Sequence, residues 1–367
     1  MVFLKKVINK NGKIEFLRFF FCLMILFFHA GKAVFGTPDM TKVSISFFWH
    51  GAIAVEFFFL VSGYLMAKNA YKKQKDLSKI SITKESIKFI YNKYKSIFFY
   101  HILAFIFAFI VYSFIHAESI FDPIRYLVES IPSILLIQMS GVPGLWINHI
   151  EWYISAMMIS MMFLYPIILK YYNKFIKIIA PVISVVLLAG MFYATGKLTG
   201  VKTMIFFVYK SLFRAIADIA IGAIIFEIVR ILNKRKFTKK QKILLTIIEF
   251  LSYLSIVLFI IFTLPYEFEF IALALCAVGV TLSFSDITYG QDEFNKEFIY
   301  KLGSYSLPIY LCQLPIINLV SKYIVNHSSV VKISAIVFGT FILAFICVQI
   351  KNTYDKLKLK RMNKKRK

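Results

Sequence analysis

Ten apolar blocks recur along the 367-residue chain, at 14–35, 47–67, 97–116, 149–169, 176–194, 204–229, 243–263, 268–286, 299–325 and 331–350. Each is about 20 residues long, the length an α-helix needs to cross roughly 30 Å of hydrocarbon. The fold class expected is all-α: a polytopic integral membrane bundle of about ten transmembrane helices. Hydrophobic residues make up 59% of the chain and phenylalanine alone supplies 40, which excludes an ordinary soluble domain. The stretch 124–138 is also apolar, but it is short and Pro132 interrupts it. It is expected to be a re-entrant or interfacial piece, not an eleventh span.

The net charge of +25 is placed in a way that excludes a nucleic-acid-binding face. Lysines and arginines sit between the apolar blocks and in the tail, where they orient a membrane protein. The positive-inside rule puts Lys5, Lys6, Lys10 and Lys13 in the cytoplasm, together with the lysine-rich 68–95 loop, the stretch with Lys170, Lys174 and Lys177, the run from Arg230 to Lys242, and the tail. The loops near 36–46 and 117–148, the weakly basic pair Lys197 and Lys202, and the turn with Glu267 and Glu269 fall outside. One loop, 286–297, is acidic yet assigned inside, and acidic residues weigh little in the rule. An even number of spans leaves both termini cytoplasmic. The first block is followed by Lys32 without a small-residue cleavage site, so it reads as a retained helix. The organisation expected is one transmembrane domain over 1–350 and a basic cytoplasmic tail over 351–367. A lysine-, isoleucine- and phenylalanine-rich chain of this kind suits the cell membrane of a bacterium. The four cysteines lie inside apolar blocks without ligand spacing, so they are expected as packing groups, with no metal site.

FLRFFFCLMILFFHAG, residues 16–31, carries Arg18 and His29 in an otherwise apolar segment. Eleven residues of α-helix are three turns plus about 20°, so both lie on one face, roughly 16 Å apart along the axis. A charge near the bilayer centre costs ~2.5–3.5 kcal/mol or more, so such groups face a partner or a cavity. The pair reads as a polar stripe running from the cytoplasmic boundary, at Arg18, to beyond the midplane, at His29. Glu56 falls at a similar depth in the second block, and a carboxylate that holds a histidine in one tautomer makes a base of it. Glu56 is therefore expected to orient His29. Ser62 and Gly63 are a small pair suited to close helix packing. Arg214 stands four residues before Asp218, a helical spacing for an ion pair, with a substrate contact as the other reading. Trp152, Tyr153 and Tyr310 read either as interfacial aromatics or as faces on which sugar rings stack. His149 and Glu151 are expected to face water. His50, His101, His116 and His327 are expected to be solvated near the membrane boundaries.

Over residues 10–350 the chain resembles the acyltransferase-3 family of integral membrane acyltransferases. The resemblance rests on Arg-x10-His at Arg18 and His29, on Glu56-Phe57-Phe58 followed by Ser62-Gly63-Tyr64-Leu65, and on a basic entry to the third helix at Lys93 and Lys95. It extends to Trp152–Ser155, to Arg214 with Gly222, and to LGSYSLPIYLCQLPI over 302–316. The chain departs from the family pattern in three motifs: lysines, Lys93 and Lys95, stand in place of arginines, Met157 in place of a glutamate, and Gln313 in place of a histidine.

The resemblance implies transfer of an acyl group, usually acetyl, from cytoplasmic acyl-CoA to a hydroxyl of a cell-surface polysaccharide or lipid-linked glycan. It implies no permanently bound cofactor, acyl-CoA (acetyl-CoA) being a co-substrate. On that reading Arg18, Lys93, Lys95 and Arg214 are the candidates for holding CoA phosphates. His29 with Glu56 is the catalytic pair, either as general base or as transient acyl carrier. Trp152, Tyr153, Tyr310 and Gln313 are the acceptor-side candidates, Gln313 as a hydrogen-bonding group. A polytopic transporter or flippase for a glycan precursor is the competing reading, in which the same polar groups line a transport path.

Overall fold

A computed structural model describes residues 10–40 and 42–364. Lys5, Lys6 and the last three residues of the basic tail lie outside the described residues. Ten long helices stand where the ten apolar blocks are: α1 (Gly12–Phe35), α2 (Ala54–Lys73), α3 (Ile82–His116), α4 (Trp152–Lys170), α5 (Ala180–Thr195), α6 (Lys210–Leu232), α7 (Lys239–Ile261), α8 (Phe268–Phe284), α9 (Glu297–Tyr323) and α10 (Ser329–Lys364). The protein is an all-α membrane bundle, and among the described residues 7 helices are long and apolar enough to cross a membrane. The other three fall short for visible reasons. α8 has only 17 residues, α6 carries five charged residues from Lys210 to Arg230, and α9 is diluted by Ser304, Ser306 and Gln313.

Helix ends follow local chemistry. Asn11 caps α1 by accepting from the Ile14 amide at 3.1 Å, and Glu15 in the first turn and Lys32 in the last suit the helix dipole. Thr238 and Gln241 form a capping box at α7. α3 begins at Ile82, well before 97, and α10 runs through the basic stretch to Lys364. Lysine is a good helix former, so a helix that leaves the apolar zone has no reason to stop there. Two starts come later than the apolar blocks suggest. Residues 47–53 are a loop and a 3₁₀ turn, tied to the end of α7 where Ser46 N donates to Ile261 O at 2.7 Å. Residues 204–209 form a two-stranded hairpin, Met204–Ile205 with Val208–Tyr209. The 124–138 stretch is broken into short helices, Asp122–Glu129 and Ile131–Ile134, and makes no span.

α6 is the hub of the bundle, packed on α2, α4, α5 and α8, while α9 joins α1 to α3 and α10. The α2–α6 crossing is so close that a Cβ on Gly63 would strike the Ile219 carbonyl oxygen and one on Gly222 the Leu60 carbonyl oxygen. Small residues at such a contact let backbones approach. Gly222→Val is expected to destabilise the chain by about 1–3 kcal/mol through overpacking. Gly190→Val, where an added Cβ meets nothing within 4 Å, is the control. Thermal unfolding of both in detergent checks this. The four cysteines are buried and unlinked, with the Cys312 and Cys347 sulfurs 3.7 Å apart.

Candidate active site

One end of the bundle opens into a cavity of ≈ 710 Å³. The last turns of α1 line it with His29 and Lys32, the 49–55 segment with Trp49 and His50, and α4's entry with His149 and Trp152. The 197–202 loop, Arg214 of α6, and Tyr310 and Leu314 of α9 complete the wall. Arg18, eleven residues before His29, lies toward the opposite end of α1.

His29 is not held by Glu56. Its Nδ1 lies 2.8 Å from Gln313 Oε1, and an amide oxygen only accepts, so Nδ1 carries the proton and Nε2 keeps the lone pair. Gln313 is fully buried, and its own Nε2 has no partner. The aligned faces of α1 and α9 bring the two together, a pairing across 284 residues of sequence.

Glu56 instead meets Arg214. Arg214 Nε donates to Glu56 Oε1 at 2.5 Å and Nη2 donates to Ala52 O at 2.9 Å. Both residues are 1% exposed. The expected Arg214–Asp218 pair is not formed, although Asp218 sits beside Glu56 on the same buried patch. The correction has a geometric cause: the α2–α6 contact at the two glycines puts Glu56 against Arg214 more directly than one helical turn puts Asp218. Arg214 also stacks over the Trp152 ring, 5.7 Å from its centroid. It opens on the His29 cavity, not on the Arg18 end where a CoA contact was expected.

Trp152 and Tyr310 are buried wall residues, not interfacial aromatics. The Tyr310 hydroxyl donates to Ile150 O. Tyr153 stands behind the wall, among Phe59 at 4.8 Å and Tyr310 at 5.9 Å between ring centroids.

At the other end, Arg18 bonds Glu15 Oε1 at 3.1 Å and keeps its side chain 33% exposed. Lys93 lies within electrostatic reach of Arg18. Lys95 does not join them. Two residues on a helix turn the side chain by about 200°, and Lys95 is exposed, over its own Tyr91 ring at 5.9 Å.

Several buried groups lie where water was expected. His101 and Glu151 are both 0% exposed and paired, Nδ1 to Oε1 at 2.9 Å. Asn148 bridges Glu151 Oε1 at 3.0 Å and Leu311 O at 3.1 Å. This network ties α3, the entry of α4 and α9, just behind Tyr310 and Gln313. His101 and Glu151 both fall within expected spans, so the cost of burying a charge applied to them as it did to His29. His50 is buried too, its ring tilted against that of Phe259 with centroids 4.6 Å apart, and only His116 and His327 of those four histidines are exposed. Glu269, expected at an outside turn, is buried and accepts from the Leu198 amide at 2.5 Å and the Thr199 amide at 3.0 Å. Lys210, also buried, donates to Thr195 Oγ1 and to the carbonyls of Lys197 and Thr199. Together they fix the 195–202 loop as a rigid cavity wall.

Residues 11–349 match the acyltransferase-3 family, described as an acyltransferase domain. No curated protein and no solved structure gave a match.

Proposed function

The chain belongs to the acyltransferase-3 family and is a membrane acyltransferase, and from that premise we propose that it moves an acetyl group from cytoplasmic acetyl-CoA to a hydroxyl of a cell-surface polysaccharide or lipid-linked glycan. The reading places the protein in the cell membrane with both termini cytoplasmic. The observation that carries it is His29: a histidine held by Gln313 on one nitrogen, in the wall of a cavity, on the same helix face as Arg18. The donor approaches from the Arg18 end and the acceptor from the cavity.

In this scheme the acceptor oxygen attacks the thioester carbonyl carbon while His29 Nε2 takes the hydroxyl proton. The tetrahedral intermediate collapses, the C–S bond breaks, and the imidazolium returns the proton to the departing thiolate. General-base help of this kind is worth about 10²–10⁴-fold. Gln313 keeps the proton on Nδ1, so Nε2 is available throughout. Glu56, bonded to Arg214, acts on the site by fixing the wall and not by touching His29.

Arg18 and Lys93 present two cations to one end of the bundle, where Glu15 pairs with Arg18 and Lys10 and Lys93 lies within reach of Arg18. A polyanion such as CoA suits that surplus. Membranes incubated with radiolabelled acetyl-CoA test the reading. Label is expected in glycan or lipid-linked sugar. Lys93→Ala is expected to raise KM for acetyl-CoA about 10-fold or more, the loss of a charge-assisted contact. Lys95→Ala is expected to change it less than about 2-fold, as for an exposed side chain turned away from Arg18. Equal effects of the two would remove the donor site from the Arg18 end, and sugar flux without acetyl-CoA consumption would replace the reading by transport.

A further inference from the structure

The His29 cavity is one-sided in charge. Lys32, Lys197, Lys202 and Arg214 line it, together with three histidines, and no aspartate or glutamate is among its lining residues. Lys32 lies within electrostatic reach of both His29 and His149, and Lys202 within reach of His149, so these groups face one volume and not separate surfaces.

The carboxylates nearest the cavity are committed elsewhere. Glu269 is bonded to the 198–199 amides, Glu151 to His101 and Asn148, and Glu56 to Arg214. The last pair neutralises Arg214, so the net charge of the cavity comes from the three lysines. What Arg214 offers is a donor. It is 1% exposed, yet its Nη1 has no hydrogen-bond partner among the described residues. A buried donor left without an acceptor costs free energy, so a ligand oxygen placed there gains what the protein lacks.

The walls are also aromatic. Trp49, Trp152, Tyr266 and Tyr310 line the cavity, and the Lys197 ammonium stands over the Tyr266 ring, 5.1 Å from its centroid. Flat rings beside cations that no carboxylate of the cavity lining neutralises suit a sugar that itself carries a negative group. Apolar lipid tails would need neither the lysines nor the buried donor.

From this we infer that the cavity binds an acidic glycan, a chain bearing carboxylates or phosphodiesters, and that the acyl acceptor is a hydroxyl of such a chain. The second half of the inference rests on the acetyl-transfer reading above; the first half, anion binding, does not. The acid group sits among Lys32, Lys197 and Lys202, and an oxygen of the neighbouring sugar reaches Arg214 Nη1. Clustered cations in a cleft of low dielectric concentrate an oppositely charged ligand, an attraction that salt weakens.

The test uses the full chain in phosphatidylcholine nanodiscs. Tryptophan fluorescence, with Trp49 and Trp152 in the wall, reports binding of three probes: trigalacturonate, its methyl ester, and a glycerol-phosphate trimer. At least one of the two acidic probes is expected to bind about 10-fold or more tighter than the ester. The tighter acid identifies carboxylate or phosphodiester as the preferred group. The combined Lys32→Gln, Lys197→Gln and Lys202→Gln variant, whose side chains leave the bundle's packing intact, is expected to shrink that preference to within about 3-fold. Any of three binding results overturns the inference: no difference between acids and ester, a preference unchanged in the variant, or its abolition by phosphatidylglycerol in the nanodisc, which would assign the cavity to lipid. A rise in KM for acetyl-CoA in the same variant would assign the lysines to the donor and also overturn it. Acidic probes that bind without ever becoming acetylated would sink the acetyl-transfer reading and leave the anion site standing. Acetylation of the ester as efficient as that of the acid would do the reverse.

Discussion

Alanine at His29 is expected to lower the rate of acetyl transfer by about 10²–10⁴-fold while leaving the folded protein in the membrane. The side chain is only half-buried, and its one hydrogen bond among the described residues is to Gln313. Its loss therefore removes a base, and frees an amide oxygen that the cavity can solvate, without opening the core. Gln313→Leu is expected to give a smaller fall in kcat, because the imidazole remains but is no longer fixed in one tautomer and orientation. The two substitutions together should cost little more than His29→Ala alone, since Gln313 acts only through His29. Acetyl-CoA turnover in membranes with matched protein levels measures all three. A double variant whose loss equals the product of the single losses would mean that Gln313 works on something else. An acyl-histidine trapped by rapid quench would turn His29 from base into carrier.

Glu56→Ala is expected to cost about 3–5 kcal/mol of stability, the penalty for leaving one partner of a buried ion pair alone. Arg214 would keep its bond to Ala52 O but lose the one carboxylate that accepts from it among the described residues, in a site where it is 1% exposed. The same argument gives Arg214→Ala a comparable cost. Replacing both, as Glu56→Gln with Arg214→Met, should recover much of it, because an uncharged pair of similar volume leaves no isolated charge. Unfolding temperature and monodisperse yield in detergent report the effect. A Glu56→Ala protein as stable as the wild type would contradict the pairing, and would return Glu56 to His29.

The parts of the fold that were legible in the sequence are those governed by one helix at a time. Block length located the ten helices, and the eleven-residue spacing put Arg18 and His29 on one face because that spacing is nearly whole turns. That the short apolar 124–138 stretch is not a span was readable from Pro132. Partners across helices were not legible in this way. Periodicity says which face of a helix is polar, but not which neighbour stands opposite. His29 meets Gln313 over 284 residues and Arg214 meets Glu56 over 158. Helix starts near the cavity were hidden as well. Residues 47–53 and 204–209 are apolar enough to be read as helix, yet they pack as loop and hairpin at one end of the bundle. His101 and Glu151 were misplaced for a related reason. Each stands close to a block boundary, where water is the default partner, and only the packing of α3 against α4 brings them to each other.

The two ends of α1 carry the central claim: donor at Arg18, acceptor in the cavity at His29. Sealed inside-out membrane vesicles test it most directly, with radiolabelled acetyl-CoA added outside, on the cytoplasmic face, and a membrane-impermeant acceptor glycan trapped in the lumen. Label on the trapped glycan with the wild type, and its absence with His29→Ala, is the predicted result. Label confined to glycan on the same face as acetyl-CoA, or equal labelling by both proteins, would contradict it.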